Sequence, residues 1–153
     1  MNIFILDNDP VVAAQLQCNK HVVKMILESA QMLATIARKQ GIESKYKSTH
    51  ANHPCTLWAG KTKGNYKWLV NHATALCNEY TYRYGKVHKS QEVIEQLSDV
   101  SIAEGALTNF ALCMPDEFKV NDPVESYRKY YNSKTFAKWT KREAPSWYLQ
   151  KVQ

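Results

Sequence analysis

Between Lys20 and Arg38 the chain reads KHVVKMILESAQMLATIAR, and nearly every position outside Lys20, His21, Lys24, Glu28, Gln31, Thr35 and Arg38 is apolar or small. At about 100° per residue those seven positions fall in one stripe of roughly 100°. Val22, Val23, Met25, Ile26, Leu27, Ala30, Met32, Leu33, Ala34, Ile36 and Ala37 cover the rest of the circumference. A surface helix shows the reverse proportion, with a wide polar face. The pattern therefore predicts a helix packed on most sides, whose narrow polar seam lines a groove. Glu28 is the only acid in that seam. Lys24 lies one turn before it, a spacing at which a cation holds a carboxylate ionised, and by spacing alone the two form an ordinary salt bridge.

The same reasoning places the other elements. Asn2 to Leu6, NIFIL, is β-prone and predicts a short strand or an extended N-terminal arm. Asp9–Pro10 is an N-cap followed by proline at the first helical position, so a short helix through Leu16 follows, either breaking near Cys18 or running on. Gly41 ends the long helix after Arg38 and Lys39. The stretch from Ile42 to Asn52 is polar and basic and reads as a loop, either a connector or a strand of cations on a phosphate backbone. A second long helix is predicted from about Gly64 to Tyr84, with Tyr66, Leu69, Val70, Ala73, Leu76, Cys77, Tyr80 and Tyr84 on its core stripe and Gly85 as its cap. Trp68, His72, Glu79 and Arg83 share an adjacent face, either a polar edge or the second wall of the groove. Gln91 to Leu97 reads as a short helix. Ser101 to Cys113 is apolar without a clear period. Asp122–Pro123 repeats the start signal for a helix through Tyr127, Tyr130 and Tyr131. Basic and aromatic residues alternate in the tail from Lys134 to Gln153, including Phe136, Trp139, Trp147, Tyr148 and Lys151. With no repeats and no linker, the expectation is an all-α fold: a compact single-domain helical bundle over residues 1–153.

Composition narrows the partner. The chain has 153 residues, 20 Lys and Arg against 14 Asp and Glu, and a formal charge of +6, which favours a polyanion. Nine Tyr and four Trp stand among those cations, as base stacking requires, although most such rings belong to cores. Cys18, Cys55, Cys77 and Cys113 form no CxxC pair, and with no leader or membrane-length apolar run they predict free thiols in the cytoplasm, that of the host for a viral chain. His50, His53 and Cys55 lack a fourth ligand and are separated by Pro54, so no metal site is expected there. No cofactor is expected either. Glycine-rich phosphate loops, GxSxG and HExxH are absent, which leaves triphosphate hydrolysis, serine hydrolysis and zincin chemistry without support.

The run KHVVKMILESAQML resembles the first helix of the pyrimidine dimer DNA glycosylase family, the phage dimer-specific endonuclease type and its bacterial relatives. Lys20, Lys24, Glu28, Gln31 and Leu33 stand where that family carries its basic residues, essential Glu, Gln and aliphatic residue. His53, Pro54 and Trp58 resemble its HP and W element, Cys77 to Gly85 its acidic and aromatic helix end, and Pro145, Trp147 and Tyr148 its C-terminal P, W and Y. The resemblance implies a helical enzyme that clamps double-stranded DNA and flips a base out of the stack. In that family the α-amino group of the N-terminal residue attacks the sugar C1′, and the essential Glu stabilises the developing sugar cation and assists a later lyase step. An α-amine suits this role because its pKa is about 8, well below that of a lysine. The resemblance makes Glu28, with Met1 or Asn2 as carrier of the amine, the catalytic set. It makes Lys20, His21 and Lys24 phosphate contacts, and Gln31, His53, Trp58, His72, Arg83, Trp147 and Tyr148 further DNA-contacting candidates.

Two positions depart from the family pattern. The second residue is Asn2, whereas removal of an initiator Met needs a small one, and Ile26 and Leu27 stand where the family carries an arginine before the Glu. Water attack on C1′ assisted by Glu28, and action on a modified base rather than a dimer, therefore stay open. The reading from a different class is a helical module that binds a nucleotide or signalling nucleotide in the same cationic groove without chemistry.

Overall fold

The computed structural model describes residues 1–149. The Lys151 of the predicted tail lies outside them. Six α-helices and one short 3-10 turn, with no strand among the described residues, make the fold all-α: α1 Pro10–Leu16, α2 Asn19–Lys39, α3 Pro54–Lys61, α4 Lys63–Tyr84, α5 Gln91–Gln96, the 3-10 turn Asp116–Phe118, and α6 Pro123–Asn132. Among the described residues no helix is long and apolar enough to cross a membrane.

The start and stop signals operate as local chemistry dictates. Asp9 Oδ1 accepts from the amides of Val11 and Val12 at 2.8 and 3.3 Å, and Asp122 caps α6 in the same manner through Val124. The chain breaks between α1 and α2 because Gln17 and Cys18 are both extended. At the end of α2, Ile42 N–H reaches Ala37 O and Gly41 N–H reaches Arg38 O, the paired bonds of a Schellman stop, with Gly41 at φ 79°. Helix α3 has no clear apolar period in the sequence. Its start is fixed by His53, whose Nδ1 accepts from Cys55 N–H at 3.1 Å, with proline next.

Helix α4 is the hub, packing against α1, α2, α3 and α5, but Tyr84, expected on its core stripe, is exposed because it stands in the last turn beside the Gly85 cap. The N-terminal arm is not a strand. Ile3, Phe4, Ile5 and Leu6 run through the interior and are all buried. Residues 97–115 form a strap over the α3–α4 junction: Lys63 and Gly64 amides bond the carbonyls of Ala103 and Gly105, and the Asn65 side chain holds Thr108 through two 2.8 Å bonds. The strap crosses so closely that a Cβ on Gly64 would lie 2.5 Å from Leu107 N, which only glycine avoids. The loop after α2 is stapled rather than loose, since Thr35 Oγ1 both donates to Thr49 O and accepts from Thr49 N–H, each at 3.0 Å.

Candidate active site

The polar seam of α2 divides by burial. Lys20, Lys24 and Arg38 are exposed, Gln31 is half-buried, and His21, Glu28 and Thr35 are buried. Glu28 is held from two sides. The α-ammonium of Met1 lies 3.4 Å from Oε1, and Lys24 Nζ lies 3.7 Å from Oε2, with the Met1 side chain 2% exposed and that of Glu28 11%. Among the described residues nothing makes a directed hydrogen bond to Oε1. The carboxylate thus has charge partners at ion-pair range and a lone pair left for an arriving group.

The arm explains how residue 1 arrives there. Asn2 Nδ2 donates to Cys113 O at 2.8 Å, while Asn2 Oδ1 accepts from Ile3 N–H at 2.8 Å. The Met1 thioether sits 3.7 Å from Thr56 Oγ1 of α3, which donates to it. Side chain and neighbour are both anchored, so the amine is presented to Glu28 rather than left on a loose end. His53, half-buried nearby, is pushed below the usual histidine range by burial first and then by the Met1 charge, against an opposing pull from Glu28.

Three lysines gather around His21, and one of them, Lys24, also pairs with Glu28. His21 stacks on Phe4 at 4.3 Å with 7° between the rings, and its Nδ1 shares a 2.7 Å hydrogen bond with Tyr131 OH. Burial, then the charges of Lys134, Lys24 and Lys20, push its pKa down to about 3, so it is neutral at pH 7. His21 is therefore the floor beneath three lysines and not itself a cation. Lys134 Nζ lies 4.1 Å from the centroid of Tyr130 and 5.5 Å from that of Phe4, and Lys20 lies 4.9 Å from that of Phe136. Tyr148 OH fixes the Lys134 backbone by donating to its carbonyl at 2.7 Å. Nothing in the local sequence marks Lys134 or Thr56 as members of this site, because each is brought in by packing of a remote segment.

The remaining residues singled out from the sequence lie elsewhere in the interior or in docking contacts. His72 is 1% exposed, donates from Nδ1 to Pro10 O at 2.9 Å, pairs Nε2 with Gln17 Nε2 at 3.0 Å, and is lowered to about 4 by burial. Arg83 is buried and bonded to Glu79 Oε2, Asn19 Oδ1 and Gln15 O at 2.8, 3.1 and 3.0 Å. Arg142 completes the cluster on Glu79 with bonds of 2.9 and 3.0 Å. Trp58 is buried in an edge-on cluster with Trp68 and beside Phe110. Trp147 lies 5.3 Å from the Arg128 guanidinium, and Tyr148 packs on Trp139, so the described part of the tail docks onto the bundle. A cleft of about 500 Å³ is lined by Gln15, Asn71, Asn78, Glu79, Tyr82 and Arg142 among others, and no member of the Met1–Glu28 pair lines it.

The cysteines are free, but two that are remote in sequence meet: Cys55 Sγ and Cys113 Sγ are 3.1 Å apart. With the α-amine, the buried carboxylate and the three lysines described, comparison with known proteins gives one positive result. A family model described as pyrimidine dimer DNA glycosylase matches residues 1–93. No curated protein and no solved structure matches the chain. The matched part contains Met1, Lys20, Lys24, Glu28, His53 and Thr56, and it covers more than half of the 153 residues. The chain belongs to the pyrimidine dimer DNA glycosylase family, a family of DNA-binding repair enzymes.

Proposed function

We propose that this protein is a base-excision N-glycosylase for damaged or modified pyrimidines in double-stranded DNA, with Glu28 as its catalytic carboxylate and the α-amine of Met1 as its nucleophile. The observation that carries the reading is the 3.4 Å approach of the Met1 amine to a buried Glu28 oxygen that makes no hydrogen bond. In this reading the neutral amine adds its lone pair to C1′ of the damaged nucleotide as the C1′–base bond breaks and the base departs. Glu28 accepts the proton shed by the amine and balances positive charge developing on the sugar. Lys20, Lys24 and Lys134 hold phosphates around His21, where like charges already crowd and an anion relieves them. Gln31 stands half-buried one turn after Glu28, on the same stripe of α2. The chain acts as one helical domain, because residues beyond the matched part supply Lys134 and the ring of Phe136. The anchoring of both Met1 and Asn2 favours an amine on Met1 over one on Asn2.

Borohydride trapping on ultraviolet-irradiated and base-modified duplexes tests the proposal. A covalent protein–DNA adduct mapping to residue 1 is expected. Base release without an adduct would mean that water attacks C1′. If the wild type leaves every duplex intact, or if Glu28→Gln acts as well as the wild type, the glycosylase reading is wrong. A nucleotide that saturates the protein calorimetrically and is recovered unchanged would then support the binding module.

A further inference from the structure

Asn2, which anchors the N-terminus, also touches a cluster that the proposed reaction does not use. One ring nitrogen of His53 and the sulfurs of Cys55 and Cys113 all lie within 4.8 Å of one another. The donors come from three places: the cap of α3, its first turn, and the strap. Their backbones are fixed. Cys113 N–H bonds Tyr127 OH at 3.2 Å, its carbonyl accepts from Asn2 Nδ2 at 2.8 Å, and the His53 ring is turned toward Cys55 by the 3.1 Å capping bond. Asn2 Oδ1 is 3.8 Å from Cys55 Sγ and offers a fourth donor.

We propose that His53, Cys55 and Cys113 bind one divalent cation of the zinc class, with the fourth coordination position facing Asn2 Oδ1. Two sulfurs and an imidazole select such an ion over magnesium or calcium, which take oxygen ligands. Around tetrahedral zinc, with metal–sulfur bonds of about 2.3 Å, two sulfurs stand about 3.8 Å apart and a sulfur and a nitrogen about 3.5 Å. From 3.1 Å the sulfurs must part by about 0.7 Å, and the His53 nitrogen must close by at most about 1.3 Å, both within reach of side-chain rotation. Binding replaces two thiol protons by one dication, so the net charge of the cluster is unchanged and no uncompensated charge is buried. A disulfide would use the two sulfurs but would give His53 and Asn2 no part.

Titration of the full chain with Co²⁺, reduced and free of chelator, tests the site. Expected are thiolate-to-cobalt charge-transfer absorption and the visible bands of tetrahedral cobalt, saturating at one ion per chain and lost on adding Zn²⁺. Cys55→Ser and Cys113→Ser should each remove roughly half of the charge-transfer intensity and weaken zinc binding at least about 100-fold, while Cys77→Ser changes neither. Because Cys55 is buried, the thermal melt of each variant is recorded first, and Cys113→Ser, half-exposed, carries the conclusion if Cys55→Ser fails to fold. No cobalt spectrum at micromolar protein, a spectrum unchanged by Cys113→Ser, or a Cys55–Cys113 disulfide that forms equally with zinc present would each overturn the proposal.

Discussion

Glu28 and Glu79 are both buried carboxylates on long helices with cations around them, yet they are held differently. Glu79 is saturated: Arg83 and Arg142 give it three directed bonds of 2.8 to 3.0 Å. Glu28 has two cations at 3.4 and 3.7 Å and no directed bond on Oε1. Satisfied geometry marks a strut, since every lone pair that matters is spent and the pieces joined are α1, α4 and the tail. Looser geometry at a buried acid leaves a lone pair unspent, which in the proposed reading serves the reaction and offsets the cost of desolvation. The contrast also separates two uses of cations: the guanidiniums lock an interior joint, whereas Lys24 reaches Glu28 from an exposed position.

The largest expected effect that would break this contrast is on activity. Glu28→Gln should lower base release at least about 100-fold, as loss of a catalytic acid or base does. Its melting temperature should stay close to that of the wild type, measured by circular dichroism. Glu79→Gln should do the opposite. With two guanidiniums left facing a neutral amide, it should lose about 3 kcal/mol of stability by urea titration, while the folded fraction keeps its activity.

Acid unfolding sharpens the same comparison. Burial holds His21 and His72 neutral, down to about 3 and about 4 from an ordinary 6.5, so the unfolded chain takes up protons first. Their contribution is complete above pH about 6.5 and declines as pH falls below it. For Glu79, burial alone would raise the pKa, but hydrogen bonds from Arg142 and Arg83 outweigh it and leave the group below its ordinary 4.5. Its contribution is present above that value and is lost as pH falls below it. The urea midpoint should therefore decline in two stages, and Glu79→Gln should remove only the lower one. The smallest effects are expected at the lysines. Lys24→Ala and Lys134→Ala should each weaken DNA binding a few-fold and reduce the slope of log affinity against log salt by about 1, read by fluorescence anisotropy.

Much of the fold was legible because its signals are local. The seam of α2, the Asp–Pro starts at Asp9 and Asp122, and the stops at Gly41 and Gly85 all depend on residues within one or two turns. Helix α3 was not, since its eight residues PCTLWAGK carry a weak period and a histidine cap, which is an uncommon signal. Of the candidate site, the charges of Glu28, Lys20 and Lys24 were legible, because they stand out on an apolar helix. His72 and Arg83 looked alike in sequence as polar residues on a helix face, and only packing shows that each spends its donors inside the bundle.

By itself the sequence determined most of the segments that become helices, α3 excepted, where the two long ones end, and that one acid stands among cations on the polar seam of α2. Those properties follow from periodicity and capping, whose range is a few residues. The tertiary structure alone decided that the amine of Met1 meets Glu28, that Lys134 joins Lys20 and Lys24 around His21, and that Cys113 meets Cys55 and His53. These contacts span separations of 27 to 113 residues. Nothing in a local pattern encodes them, because they form only when burial of the N-terminal arm, the strap and the tail fixes where each remote side chain points.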